Sequence, residues 1–269
     1  MTERSVPGNH EVSAAVAVTC DGEQLTGTVQ DGFDVFGIPH GGYLAAMGAN
    51  AVLQATAQPD LFTITTHYLR KAEVGPMNFQ VTRVGGSRRF STVTATGTQE
   101  GKVVLSIMAS VGDRSDIEGP AWTSVDPSMP RDDDLTPPAD TEGLPFEPPN
   151  IAKRMGLRMA IATVGFATGQ AQDSARMRAI MQTGQADQLT AIIACDLTPP
   201  AVWNKLGAKG WVPTVELTAH VRGRPAPGPL AIDVVTNHVA DGFLDEDALV
   251  HDATGRLIVQ SRQLARWTT

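Results

Sequence analysis

The sequence predicts an α+β fold built twice over, each copy a long helix followed by antiparallel strands joined by short turns. Three observations carry this expectation. A proline-rich, acidic stretch interrupts the middle of the chain. The segments on either side repeat the same ordered set of turns. Each repeat also has, ahead of its strands, an apolar stripe of helical period. With 269 residues, 42% of them hydrophobic, the chain can support a real core.

Residues 39–50 read PHGGYLAAMGAN. Leu44, Met47, Gly48, Ala51, Val52 and Ala55 form the i, i+3, i+4, i+7 stripe of a buried helix, predicted over 41–56. The paired glycines Gly41 and Gly42 at its entry let another group approach the backbone closely. First-turn N–H groups there sit unpaired at the positive end of the helix dipole, which suits a polarised carbonyl. A plain packing turn is the alternative reading of His40-Gly41-Gly42.

His67 then lies eight residues before Gly75-Pro76, and His220 eight before Gly228-Pro229. After each Gly-Pro come a strand-like run (78–83; 231–237), a turn and a second run. Tight turns follow at Glu100-Gly101-Lys102 and Thr254-Gly255-Arg256, and each half closes on a long alternating strand, 103–111 and 257–265. The second helix is expected over Asp187–Leu197. Between the halves, residues 114–150 hold eight of the eighteen prolines and the acidic run Asp132-Asp133-Asp134, which reads as a linker crossing the surface. The organisation expected is therefore a unit at 1–113, a linker at 114–150 and a unit at 151–269.

The balance of 21 basic and 29 acidic residues gives a net charge of −8, which argues against a general binder of nucleic acid or anionic membranes. No apolar run reaches transmembrane length, and no signal-peptide core opens the chain. Cys20 and Cys195 lie far apart and form no metal-type cluster, so a reduced, cytoplasmic setting is expected. G-x-S-x-G, G-x-G-x-x-G and H-E-x-x-H are all missing, which disfavours a serine hydrolase, a dinucleotide enzyme and a zincin.

The second helix carries one unexpected residue. Leu189, Ile192 and Ile193 form its apolar stripe, and Asp196 falls on that stripe. A carboxylate there must be hydrogen-bonded or functional; capping a neighbouring backbone turn would satisfy it equally. Superposing the repeats places Asn50 opposite Asp196, Leu61 opposite Thr214, and Ala109 opposite Gln263. Gln263 shares its strand face with Leu257, Val259 and Ala265, so it points inward and needs partners. Strict alternation puts Thr214 on the polar face with Glu216, Thr218 and His220; a bulge would free it.

The segments PHGGYLAA, HYLRKAEVGP and GGSRRFSTVTATGTQEGKVVLSIMASVGD, with IIACDLTPP, TVELTAHVRGRPAPGP and DGFLDEDALVHDATGRLIVQSRQLARW, resemble acyl-CoA thioesterases of the TesB-like (acyl-CoA thioesterase II) family. The resemblance implies a tandem double hotdog, two antiparallel sheets each wrapped around a central long helix. It implies hydrolysis of an acyl-CoA by water, with Asp196 as general base and Thr214 and Gln263 orienting that water. His40, Gly41 and Gly42 would bind substrate, with the Gly42 N–H on the thioester carbonyl. No cofactor and no metal are expected, and assembly into a homo-oligomer is.

A non-hydrolytic acyl-thioester binding protein is the rival reading; a hydratase is disfavoured for want of a suitably spaced Asp/His pair. Arg83, Arg88 and Arg89 could meet coenzyme A phosphates or form a solvated turn. His67 and His220, being repeat-equivalent, suggest a shared structural role. The acidic run Asp241–Asp247 lacks calcium-loop spacing and reads as an exposed strand bend.

Overall fold

The computed structural model, which describes residues 9–22, 24–87, 89–120, 122–124, 129–142, 144 and 147–268, joins both halves in one antiparallel sheet of thirteen strands. In the first half α1 (Asn9–Ala15) leads into β1 (Val18–Asp21) and β2 (Gln24–Val29), and the small hairpin of β3 (Asp34–Val35) and β4 (Ile38–Pro39) leads into α2 (Gly41–Thr56). Then come β5 (Asp60–Tyr68), β6 (Gly75–Gly86), β7 (Phe90–Gln99) and β8 (Lys102–Gly112). In the second half α3 (Asn150–Arg154), β9 (Leu157–Met159), α4 (Gly165–Thr168) and β10 (Arg176–Met181) precede α5 (Gln188–Ala194) and α6 (Trp203–Leu206). The chain closes on β11 (Thr214–Val221), β12 (Leu230–Val235), β13 (Val239–Ala240), β14 (Phe243–His251) and β15 (Leu257–Arg266).

The sheet order is β1-β2-β6-β7-β8-β5-β11-β15-β14-β12-β10-β9, with β13 on β14. Read outward from the centre, both halves give the same sequence of strands: β5, β8, β7, β6, β2 against β11, β15, β14, β12, β10. The two sheets expected are thus continuous, fused where β5 pairs with β11. Thr65 lies opposite Thr218 in that seam, and their hydroxyls are 2.8 Å apart. Each stands two residues before its histidine, so the repeat maps one onto the other and the pseudo-twofold axis passes between them.

Helix α2 has the predicted span, and ten of its sixteen residues are buried. It touches β1, β2, β5, β6, β7, β8 and α5. The second helix is shorter than expected. After Ala194 the backbone tightens, Asp196 N–H reaching Ile193 O and Leu197 N–H reaching Ala194 O, and Pro199-Pro200 prevents continuation.

The 114–150 segment is also more than a surface linker. Arg114 bonds the carbonyls of Leu61 and Val221, across the seam. Leu135 bridges Ala160, Thr136 N–H reaches Met159 O at 2.8 Å, and Ala139 N–H reaches Leu157 O at 3.2 Å. Residues 135–139 therefore run along the outer edge of β9 and cover backbone groups that an edge strand leaves open.

Candidate active site

His40 caps α2, its Nδ1 accepting the Tyr43 N–H at 3.2 Å. The ring proton is then on Nε2, which donates to the Asp196 carbonyl oxygen at 2.8 Å and lies 3.4 Å from Asp196 Oδ2. Gly42 N–H donates to Asp196 Oδ2 at 2.8 Å. An amide in the first turn, backed by the helix dipole, is a natural partner for a carboxylate. The Asp196 side chain keeps 13% of its surface open, and its Oδ1 has no hydrogen-bond partner among the described residues.

The glycines are explained by this approach. A Cβ on Gly42 would stand 2.9 Å from Asp196 Cβ and 3.0 Å from Ile193 O; one on Gly41 would stand 2.8 Å from Asp196 Oδ2. Only glycine lets the end of α5 meet the start of α2 so closely. The contact bears on the role expected of Gly42, whose N–H donates here to the carboxylate. Tyr43 and Leu44 N–H are likewise taken by His40, through Nδ1 and the carbonyl oxygen. Gly41 N–H is the first-turn donor left without an acceptor among the described residues. Beside it, Tyr68 Oη donates to Gly41 O at 2.9 Å. Desolvation, then the charges of Asp196 and Glu216, push that phenol well above its ordinary range, so it remains a donor.

Thr214 and Gln263 are brought together. Thr214 Oγ1 donates to Gln263 Oε1 at 2.7 Å. The alternation problem at Thr214 is resolved by a bulge between Thr214 and Glu216, and β5 carries the same irregularity at Leu61/Thr63, the repeat-equivalent place. No direct hydrogen bond joins Asp196 to Thr214 or Gln263 among the described residues.

Sequence reasoning misses Glu246. The acidic run that holds it is exposed at residues 241–243, but Glu246 is 6% exposed. Its Oε2 accepts from Gln263 Nε2 at 3.0 Å and its Oε1 from Ala201 N–H at 2.6 Å. Burial, followed by Asp196 and Asp245 among the charges, pushes its carboxyl up to about 8. A signal for it exists: Glu246 alternates with Leu244, Ala248 and Val250 on one strand face, the pattern that singles out Asp196 on its helix.

The other candidates lie elsewhere. His67 and His220 are exposed on β5 and β11, opposite Glu216 and Thr63 across the seam. Arg83 and Arg89 are exposed, and Arg88 lies outside the described residues. Asn50 gives its amide to Val16 O at 2.8 Å, a structural bond. No helix among the described residues is long and apolar enough to cross a membrane.

Comparison with known proteins bears on both halves. A model of the acyl-CoA thioesterase N-terminal domain matches residues 29–112, and one of the C-terminal domain matches 131–266. An uncharacterized protein of Mycobacterium tuberculosis is 26% identical over 249 residues, 84% of each chain. A protein of Alicyclobacillus acidocaldarius with a hot dog fold superposes with a TM-score of 0.81 at 21% identity, covering 97% of this chain and 99% of its own. An acyl-CoA thioesterase II of Mycobacterium marinum superposes at 0.70 and 17% identity, covering 95% and 97%. The sheet and its helices have the hotdog architecture.

Proposed function

The chain belongs to the acyl-CoA thioesterase family and is a thioester hydrolase, and from that premise we propose that it cleaves acyl-CoA with Asp196 as the base toward an attacking water. The observation that carries this reading is the asymmetric tethering of the carboxylate. Oδ2 is held by Gly42 N–H, which leaves Oδ1 to accept a proton. Thr214, which donates to Gln263, keeps its lone pairs for the second hydrogen of that water.

The oxygen of the water attacks the thioester carbonyl carbon as its proton passes to Asp196. Negative charge gathers on the carbonyl oxygen, which we assign to Gly41 N–H rather than to Gly42. The tetrahedral intermediate collapses with loss of the coenzyme A thiolate, and the proton on Asp196 returns to the sulfur. The products are a free acid and coenzyme A.

A series of acyl-CoAs of graded length, followed by thiol release, tests the reaction and reads its acyl preference at once. Turnover with a preferred length is expected. Absence of thiol release from every member would overturn the proposal for acyl-CoA as substrate.

A further inference from the structure

Gln263 is a symmetric-looking side chain placed where symmetry would be harmful. Its amide can be turned either way in the same space, offering oxygen to Thr214 and nitrogen to Glu246, or the reverse. The two orientations give the attacking water different surroundings. With oxygen toward Thr214, the threonine hydroxyl must donate inward and presents lone pairs to the water. With nitrogen toward Thr214, the hydroxyl must accept inward and presents its hydrogen instead. That hydrogen would occupy a water lone pair and leave the threonine one free lone pair instead of two for the second water proton. Something has to choose between these states.

We propose that Glu246 is a positioning residue that makes this choice: by accepting from both Ala201 N–H and Gln263 Nε2, it fixes the amide of Gln263 and thereby the direction of the Thr214 hydroxyl. This rests on the roles given above to Thr214 and Gln263. The geometry leaves little freedom. Ala201 N–H is a backbone donor 2.6 Å from Oε1, so the group at 246 must offer an acceptor there. An ionised carboxylate has a second acceptor oxygen, and Gln263 Nε2 at 3.0 Å meets it. Glu246 and Gln263 are cross-strand partners in β14 and β15, both nearly fully buried, so water does not compete for these bonds.

The first half shows what the fold needs without this device. The positions equivalent to Glu246 and Gln263 are Val93 and Ala109, also directly opposed and both buried. Two apolar side chains fill the same cross-strand site, so the carboxylate is not required to build the sheet.

The decisive variant is Glu246→Gln, which conserves volume. Its amide must give oxygen to Ala201 N–H, so its NH₂ faces Gln263 and turns the Gln263 amide over. We expect kcat to fall about 10- to 100-fold, within the worth of one preorganised donor or acceptor, with KM nearly unchanged. Because Glu246 acts through Gln263, the double variant E246Q/Q263A should be no slower than Q263A alone, a strong departure from additivity.

A pH profile supplies a readout that a merely structural role would not move. A protonated carboxyl at 246 has the same donor and acceptor pattern as the glutamine. The groups facing Glu246 are Asp196 after α5, Asp245 on its own strand, Gln263 on β15, Ala201 N–H and the hydroxyl of Thr236; Arg262 on β15 is held by Asp247 instead. With its carboxyl pushed up to about 8, wild-type kcat should rise through that pH, and E246Q should lack the rise. Wild-type kcat in folded E246Q, with Q263A impaired, would overturn the inference and leave the proposed site standing. Normal turnover by Q263A would overturn both. Should E246Q fail to fold, the wild-type profile and the Q263A profile decide: a limb near pH 8 present in both would also overturn it.

Discussion

The two halves of this chain share strand order, bulge position and cross-strand register, and they differ in what fills one layer of the core. In the first half the layer is Leu61, Val93 and Ala109, all buried and apolar. In the second half the same three places hold Thr214, Glu246 and Gln263, linked by hydrogen bonds. Backbone geometry is indifferent to the exchange, because both sets satisfy the same sheet. The difference shows that the hotdog shape needs volume at these positions, whereas the proposed water activation needs polarity and direction. The halves also trade at the helix ends. The first supplies the Gly42 amide of α2, and the second supplies the carboxylate that it holds.

The sharpest way to break the comparison is at the acid. Asp196→Asn keeps an acceptor for Gly42 N–H but replaces the proton-accepting oxygen. It should lower kcat by about 10² to 10⁴, with little change in KM. Near-normal turnover by the folded variant would leave the second half with no base.

Next in size is an exchange of the layer itself. Gln263→Ala gives the second half the residue of the first and should cost about 10- to 10³-fold in kcat. The reverse change, Ala109→Gln, should leave kcat alone and cost about 1–3 kcal/mol of stability, since it overpacks an apolar layer with a polar group. Thermal unfolding and rate measured on both variants distinguish the layers. Equal loss of activity from both would mean that the halves are not functionally distinct.

A smaller effect is expected where the halves meet. Gly42→Ala places a Cβ 2.9 Å from Asp196 Cβ and should displace the carboxylate, lowering kcat by about 10- to 10²-fold, as expected of a misplaced catalytic group. Asn50→Ala, two turns further along α2, loses the bond to Val16 O and should cost only about 1 kcal/mol of stability. A severe loss of activity in Asn50→Ala with a harmless Gly42→Ala would put the site on the other side of the axis.

The gentlest test is pH. The Glu246 carboxyl lies at about 8 in the fold, against an ordinary value of 4.5 for a solvated glutamate. Between these limits the folded chain binds the extra proton, so stability must fall as pH rises from about 4.5 to about 8. Glu246→Gln should flatten that fall, whereas Val93, its counterpart, has nothing to titrate. An unchanged slope in the melting temperature would remove Glu246 as its source.

Much of this architecture is legible in the amino-acid sequence. The span of α2 follows from its stripe, and the His…Gly-Pro anchors match Leu61 with Thr214, the two places where β5 and β11 carry the same irregularity. The bulge that frees Thr214 is recognisable as a need, from the conflict between its face and its partners. Other features are hidden for physical reasons. Glu246 sits in a run of acids whose flanks do face solvent, and only the parity of its position tells it apart. The short α5 depends on a tightened turn ahead of two prolines, which a periodic stripe does not register. Residues 135–139 lack any period because they pair along an edge mainly through backbone groups, with the Thr136 hydroxyl taking the Met159 N–H. The commitment of Gly42 N–H to Asp196 arises between residues 154 apart in the chain, beyond the reach of local pattern.

The seam at Thr65 and Thr218 bears on how such a chain can change over generations. An isologous contact places the same surface on both partners, so in a dimer of separate identical subunits every substitution appears twice. Each subunit would have to carry the glycine entry, the acid and the polar layer together. Covalent connection through residues 114–150 keeps the partners at high effective concentration and in fixed one-to-one proportion. A substitution then falls on one side of the axis only. Drift toward Leu61, Val93 and Ala109 becomes permissible on that side, and the surrendered layer can be refilled for packing while its twin keeps the chemistry.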